Sequence, residues 1–375
     1  MRRNKYEKPH DHVKEPLIHL IRRMDIQPSK AWMIRIICVL IGLLVCALFI
    51  MSITSLNPIS VYASMFSGAF GTSRRIWQTL KDMAILLCIA IGLAPAFKLR
   101  FWNVGAEGQV LIGGLVSAAL MINLGNKIPN ALLLILMAVC AMVCGAVWGL
   151  IPAYFKAKYK TNETLFTLMM NYVALQLVEF FVDIWDKKQS HSVGIINGDT
   201  QAGWMPSLFN QQFAPLVIIV AVLTIGMYFY LKHSKQGFEI TVVGESENTA
   251  RYAGISVGKV ILRTMAISAA ICGLAGFLEV SCVSHTISSL TAGGRGFTAI
   301  IVAWLGKFNP PAMTLITCIL SFLSRGANQI ASDFNFNTYA GSILTGIILF
   351  FILASDFFIN YKLVFRGKKG KEKVS

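Results

Sequence analysis

Phe101 to Gly114 reads FWNVGAEGQVLIGG, a polar turn spaced by glycines that runs without a break into an apolar helix. Asn103, Glu107 and Gln109 stand beside residues hydrophobic enough to enter lipid. Gly105, Gly108, Gly113 and Gly114 let other backbones approach to contact. Such a place suits a polar solute better than a lipid tail.

Outward from this stretch the chain is apolar in almost every direction. Of its 375 residues 55% are hydrophobic and 14% charged, against roughly a quarter charged in a soluble domain. Apolar runs recur at 33–53, 83–97, 110–124, 131–153, 165–185, 213–231, 265–282, 297–305, 313–330 and 340–360. Most are long enough to cross a hydrocarbon core of about 30 Å. The expectation is an all-α polytopic membrane protein of about ten transmembrane helices, with 31–361 as one transmembrane domain between basic tails at 1–30 and 362–375. The first run follows basic residues and lacks a small-residue cleavage site, so it reads as a retained anchor. Leu56 to Lys81, with Pro58, four serines, Gly68 and Gly71, is expected to lie outside, and polar Asp186 to Gln212 fits an external loop.

The net charge of +16 is placed rather than spread. Arg2, Arg3, Lys5, Lys8, Lys14, Arg22, Arg23 and Lys30 precede the first run, and Lys362, Arg366, Lys368, Lys369, Lys371 and Lys373 follow the last. The positive-inside rule puts both termini in the cytoplasm, which requires an even number of crossings. Lys98, Arg100, Lys156, Lys158, Lys160, Lys232, His233 and Lys235 fall on the same side by this topology. The cations thus face a membrane surface and not a nucleic acid.

A second glycine-rich insertion, AGGRGFTAIIVAWLG from Ala292 to Gly306, also sets glycines and a charge ahead of a short apolar run. In five plus five crossings it corresponds to Asn103 to Gly114 and enters from the opposite face, the pattern of two inverted repeats whose interrupted helices meet inside the bilayer. Asn171, with Thr167 a turn before it, adds a deep polar residue and a fourth path candidate. Glu179, Asp183 and Glu279 lie toward outer helix ends and read as hydrated rim carboxylates, with solute contact as the alternative.

The one substantial insertion on the cationic side, Lys232 to Arg263, contains VVGESENTARYAGISVGKV. Glu245 or Ser246 can cap a short helix, Asn248 to Ala253 continues it, and Gly254 supplies a left-handed stop. A helix with its own start and stop signals fits a docking knob for a peripheral partner, formed by Glu245, Ser246, Asn248, Ala250, Arg251, Ala253 and Gly254.

Catalytic patterns are absent. Every Gly-Lys pair (Gly258-Lys259, Gly306-Lys307, Gly367-Lys368, Gly370-Lys371) is followed by something other than Ser or Thr, so no nucleotide-cradling P-loop forms. No metal-binding spacing or nucleophile cluster is present, and the cysteines, including Cys140 and Cys144 one turn apart, read as small core packers.

FWNVGAEGQVLIGG, NETLFTLMMNYVAL from Asn162 to Leu175, GESENTARYAGISVGKV, and GRGFTAIIVAWLGKFNP from Gly294 to Pro310 together closely resemble the membrane permeases of ATP-binding-cassette (ABC) importers. The subfamily is that of nucleoside and simple-sugar uptake, related to the ribose and branched-chain amino acid permeases, and the resemblance runs from about residue 57 to 360. It implies a type II importer-like permease subunit in a bacterial cell membrane. ATP and magnesium would sit on separate ABC ATPase subunits docked at the 245–254 helix. A second homologous permease and a substrate-binding lipoprotein would complete the assembly, and this chain would bind no cofactor. The solute would be a nucleoside first and a simple sugar next. The alternative is a stand-alone ion-coupled secondary transporter, which would need buried acids that bind the coupling ion.

Overall fold

A computed structural model describes residues 18–22, 27–53, 57–186, 193–334 and 338–365. The tail cations before residue 18 and after residue 365 lie outside the described residues. The helices are α1 Pro28–Ile53, α2 Pro58–Phe70, α3 Ser73–Lys98, α4 Ala106–Leu124, α5 Asn130–Tyr159, α6 Glu163–Trp185 and α7 Ala214–His233. They continue as α8 Lys235–Glu245, α9 Glu247–Tyr252, α10 Val257–Leu278, α11 Arg295–Leu305, α12 Pro310–Asp333 and α13 Thr338–Asn360. Among the described residues seven helices (α1, α3 to α7 and α10) are long and apolar enough to cross a membrane, and α11, α12 and α13 occupy the other expected positions.

The chain divides into two units, residues 1–59 with 342–375 and residues 60–341. In the first, Gly42 of α1 admits Phe351 of α13, and the Cys46 thiol reaches the Leu344 carbonyl at 3.7 Å. Strand β1, Ile18–Arg22, pairs antiparallel with β2, Tyr361–Phe365, so that Ile18 faces Phe365 and Arg22 faces Tyr361. This small ribbon lies in segments where the sequence pattern alone predicts no element.

The second unit is built around α3, whose residues 84–97 are all buried. A helix apolar all round belongs inside a bundle, and α10, α11, α12 and α7 pack against it. α4, α5 and α10 interlock through small residues, because without a hydrophobic drive between helices close backbone packing holds a membrane bundle together. Gly113 lies on the Gly273 backbone and Gly276 on Val110, each so close that a β-carbon would collide with the facing carbonyl oxygen. Gly276→Ala should therefore push α4 from α10 and lower stability by about 1–3 kcal/mol. A melting transition in detergent unchanged from wild type would contradict that packing.

The segment 56–81, for which the sequence reading names no element, is largely helical. It contains α2 and the first turns of α3, which starts at Ser73 behind a Thr72 cap that accepts from the Arg75 N–H. Pro58 suits a first helical turn, and Val61, Met65, Gly68 and Ala69 are buried at helical spacing. Its Gly68 is a packing site that meets Gln329 of α12, while Met65 fills the space over Gly326 of α12. Phe70 and Phe322 then stack with centroids 5.6 Å apart.

The ends of α3, α5 and α7 carry Lys98, Lys156 with Lys158, and Lys232, which mark the bundle's basic end. Residues 193–213 fold over the opposite end: Asn130 donates to the Trp204 carbonyl (3.0 Å) and accepts from the Gly203 N–H (2.7 Å), and the Met205 N–H reaches the Ser281 carbonyl (2.9 Å).

Candidate functional site

α3 stops at the basic end because Arg100 turns left-handed (φ 60°), its N–H bonding Phe97 while the Phe101 N–H bonds the Ala96 carbonyl. The turn that follows leads into α4, and α4 begins inside the bundle. α10 ends in a π-helical turn, Glu279–Ser284, and the chain re-enters the bundle to start α11 at Arg295, behind left-handed Gly293 and Gly294. The two interrupted helices then meet by their N-termini. Glu107, in the first turn of α4, accepts the Gly294 N–H on Oε1 and the Gly296 N–H on Oε2, both at 2.7 Å. A β-carbon on Gly296 would lie 2.7 Å from Glu107 Cα, so glycine is required for this approach. Each helix N-terminus carries roughly half a positive charge, and one carboxylate lies between the two.

The other path candidates gather around the same turn. Buried Asn103 and Gln109 exchange reciprocal amide bonds at 3.2 Å; Asn103 also donates to Ser268 Oγ (3.3 Å) and accepts from the Gly105 N–H (3.1 Å). Asn171 of α6 accepts the Gly108 N–H (2.9 Å) and donates to the Val104 carbonyl (2.9 Å), while Thr167 Oγ accepts the Val104 N–H (3.2 Å). The structure thus brings Asn103, Glu107, Gln109 and Asn171 together. In this conformation their polar atoms satisfy the turn's own backbone, the start of α11, Ser268 and one another, as buried polar groups require.

An ion cluster borders the junction on the side away from the basic end. Arg295 pairs with Glu279 at 2.8 Å and approaches Asp82 at 3.9 Å; Asp82 also holds Lys81 and Arg325. The cluster joins α3, α11, α12 and the π-turn. Glu279 is therefore a buried member of this network and not a rim carboxylate: only 5% of it is exposed, because the π-turn aims it inward at Arg295. Glu179 and Asp183 are exposed. The sequence alone shows the charge of Arg295 but not its partner.

At the basic end an aromatic group closes over the junction, with Trp102 stacked on Trp304 at 5.0 Å and Phe97 against Phe308 at 6.1 Å. At the other end a cavity of about 610 Å³ opens among Gly125, Asn130, Trp204, Gln212 and His285. Trp204 and His285 stack at 3.8 Å there. Burial lowers the His285 pKa below the ordinary histidine value, against an opposing pull from the Val280 backbone.

A short helix is present where the sequence predicts one, with different bounds. Glu245 is the last residue of α8, Ser246 caps α9 by accepting the Thr249 N–H (3.2 Å), and the helix proper is Glu247–Tyr252. Gly254 (φ 75°) ends it: its N–H bonds the Arg251 carbonyl and the Ile255 N–H bonds that of Ala250, a complete Schellman stop. Asn248, Arg251, Ala253 and Gly254 are exposed, Tyr252 is 93% exposed, and within α9 Ala250 alone is buried, where α9 packs on α8 and α10. α8 in turn rests on Lys98 and Leu99, so α9 sits at the basic end. Among the described residues no group of His, Cys, Asp and Glu could hold a metal ion.

Similarities to known proteins bear on this geometry. Residues 75–353 match the family described as branched-chain amino acid transport system / permease component. The chain is 29% identical over 342 residues to the guanosine ABC transporter permease protein NupP of Bacillus subtilis, covering 90% of this chain and 97% of that one. It is 28% identical to the nucleoside ABC transporter permease protein NupB of Lactococcus lactis, over 89% of this chain and 94% of the other. To the glucose ABC transporter permease protein TsgB13 of Haloferax volcanii it is 27% identical, over 82% and 84%.

Proposed function

Because the chain belongs to the branched-chain amino acid transport system permease family, a family of ABC transporter permeases, we propose that it is the membrane subunit of an ATP-driven importer for a nucleoside. A simple sugar is the second choice. The observation that carries the reading is α9: short, capped at both ends, exposed on all but one residue and set at the basic end of the bundle. Nothing about a mere connector calls for a helix so defined.

The proposed mechanism is alternating access. ATPase subunits, which carry the ATP and magnesium while this chain carries no cofactor, grip α9 from the cytoplasm, where both termini also lie. Their closure and opening shift α9, and α9 moves α8 and α10, with which it packs. α10 leads through the π-turn to Arg295 and the junction at Glu107, so motion at the surface reaches Asn103, Glu107, Gln109 and Asn171, which gate the path. A second homologous permease completes the path, and a substrate-binding lipoprotein delivers solute to the far end. The Bacillus and Lactococcus relatives, named for guanosine and nucleosides, support the first choice of solute, and the Haloferax relative, named for glucose, supports the second.

The rival, an ion-coupled transporter, needs acids at liberty to bind and release the ion. Glu107 and Glu279 are both engaged, by backbone N–H groups and by Arg295. The deciding experiment is uptake of labelled guanosine and, separately, labelled glucose by proteoliposomes holding the chain with its ATPase and second permease, loaded with ATP and given the binding lipoprotein outside. The expected result is guanosine uptake that stops without ATP. Uptake by this chain alone, driven by a proton or sodium gradient, would sink the proposal.

A further inference from the structure

We propose that Tyr172, Gln176, Glu179 and Asp183 of α6 form a water-facing stripe that contacts the solute in transit, a role that rests on the importer reading above. The argument starts from what exposed helix faces carry. On α5 the exposed face is Leu132, Ile135, Val139, Val143, Val147 and Ile151. On α7 it is Ile218, Val222, Ile225 and Phe229. Such faces belong in lipid.

α6 differs. At about 100° per residue, Tyr172, Gln176, Glu179 and Asp183 share an arc of about 60°, with Val173, Phe180 and Ile184 centred about 90° round the helix. All of these are exposed, Tyr172 by 67%. One exposed flank of the helix is thus apolar and the other polar.

Depth sets Tyr172 and Gln176 within the span, with Glu179 and Asp183 toward its outer end. Gly108, in the first turn of α4, lies so close to α6 that a β-carbon there would sit 3.0 Å from Asn171 Cα and 3.1 Å from Ala174 Cβ. Tyr172 and Gln176 are therefore level with the junction of the two interrupted helices. Gln176 stands 13 residues beyond the start of α6 at Glu163, about 20 Å along a helix of 23 residues. Insertion of a carboxylate into lipid is unfavourable, so Glu179, one turn further along, also belongs against water. Gln176 and Glu179 have no hydrogen-bonding partner among the described residues. Below them, toward the basic end, the same face becomes apolar at Met169 and Leu165, where a groove lined by Phe166, Met170 and Val173 opens. The exposed face is polar above and apolar below.

The chemistry of the stripe defines what it would accept. A tyrosine hydroxyl and a carboxamide both donate and accept, whereas two carboxylates accept only. The complementary solute is uncharged and rich in donors, in hydroxyls, amino groups or ring N–H. A phosphorylated form would meet like charge and be refused.

The test uses the full chain assembled with its partner subunits in proteoliposomes, with the partly exposed Cys140, Cys144 and Cys318 replaced by serine. Tyr172→Cys, Gln176→Cys and Val143→Cys are each exposed to a charged methanethiosulfonate. Because a thiol in lipid ionises poorly, Gln176→Cys and Tyr172→Cys should react at least about tenfold faster than Val143→Cys. Guanosine should slow that reaction and guanosine monophosphate should not. Equal rates at Gln176 and Val143 while uptake persists would overturn the stripe and leave the importer standing. Rapid labelling without any guanosine or glucose uptake would overturn solute contact together with the importer reading, keeping only a water-facing surface. Gln176→Leu adds a second readout: loss of a hydrogen bond to the solute should lower uptake up to about tenfold, and an unchanged rate counts against contact.

Discussion

Replacing Glu107 with alanine is expected to destabilise the protein by about 3–5 kcal/mol, since two interior backbone donors would each lose an acceptor worth about 1–3 kcal/mol. The donors are the Gly294 and Gly296 N–H groups, and no other acceptor for them is present among the described residues. Two positive helix ends would also face each other unneutralised. Glu107→Gln keeps one acceptor oxygen and should cost about half as much. Melting in detergent measures both. An alanine variant within about 0.5 kcal/mol of wild type, the range of an ordinary surface change, would mean that the junction does not depend on this carboxylate.

Ala250→Trp should leave folding intact and remove coupling. Ala250 is the buried residue on which α9 rests, and a large ring there lifts the helix from α8 and α10. Overpacking of about 1–3 kcal/mol, concentrated in one short helix at the surface, corresponds to roughly 10- to 100-fold in any equilibrium that needs its position. Uptake of guanosine should fall by that factor while ATP hydrolysis by the assembly continues. Gly254→Ala provides a graded step, because its left-handed backbone costs a β-carbon about 1–2 kcal/mol without displacing α9. Normal uptake in the tryptophan variant would remove α9 from the mechanism.

These effects also show what a linear reading can reach. The apolar runs are legible because about 20 consecutive apolar residues suit a membrane crossing and little else. α9 is legible because its signals, Ser246 and Gly254, lie within a few residues of the helix they bound. The convergence of the two glycine-rich insertions can be anticipated from their matching positions. The bond that joins them cannot, because Glu107 and Gly294 are 187 residues apart and long-range pairing leaves no periodic trace. Glu279 is misplaced by sequence for the same reason: Arg295, 16 residues on, turns it from a rim group into a buried partner. α2 escapes notice because Pro58, Gly68 and Gly71 interrupt any long apolar run, although Val61, Met65, Gly68 and Ala69 already have helical spacing. The ribbon leaves little signal, because IHLIR and YKLVF are five residues each and neither alternates strictly between apolar and polar.

That ribbon carries a topological constraint of its own. A ladder from Ile18 with Phe365 to Arg22 with Tyr361 cannot form through a bilayer, so both strands must share one aqueous compartment. The parity of the crossings between them follows from hydrogen bonds alone, with no appeal to where the lysines lie. Reporters fused at residue 18 and at residue 365 should give the same sidedness, and inserting one extra hydrophobic segment between them should unzip the pair.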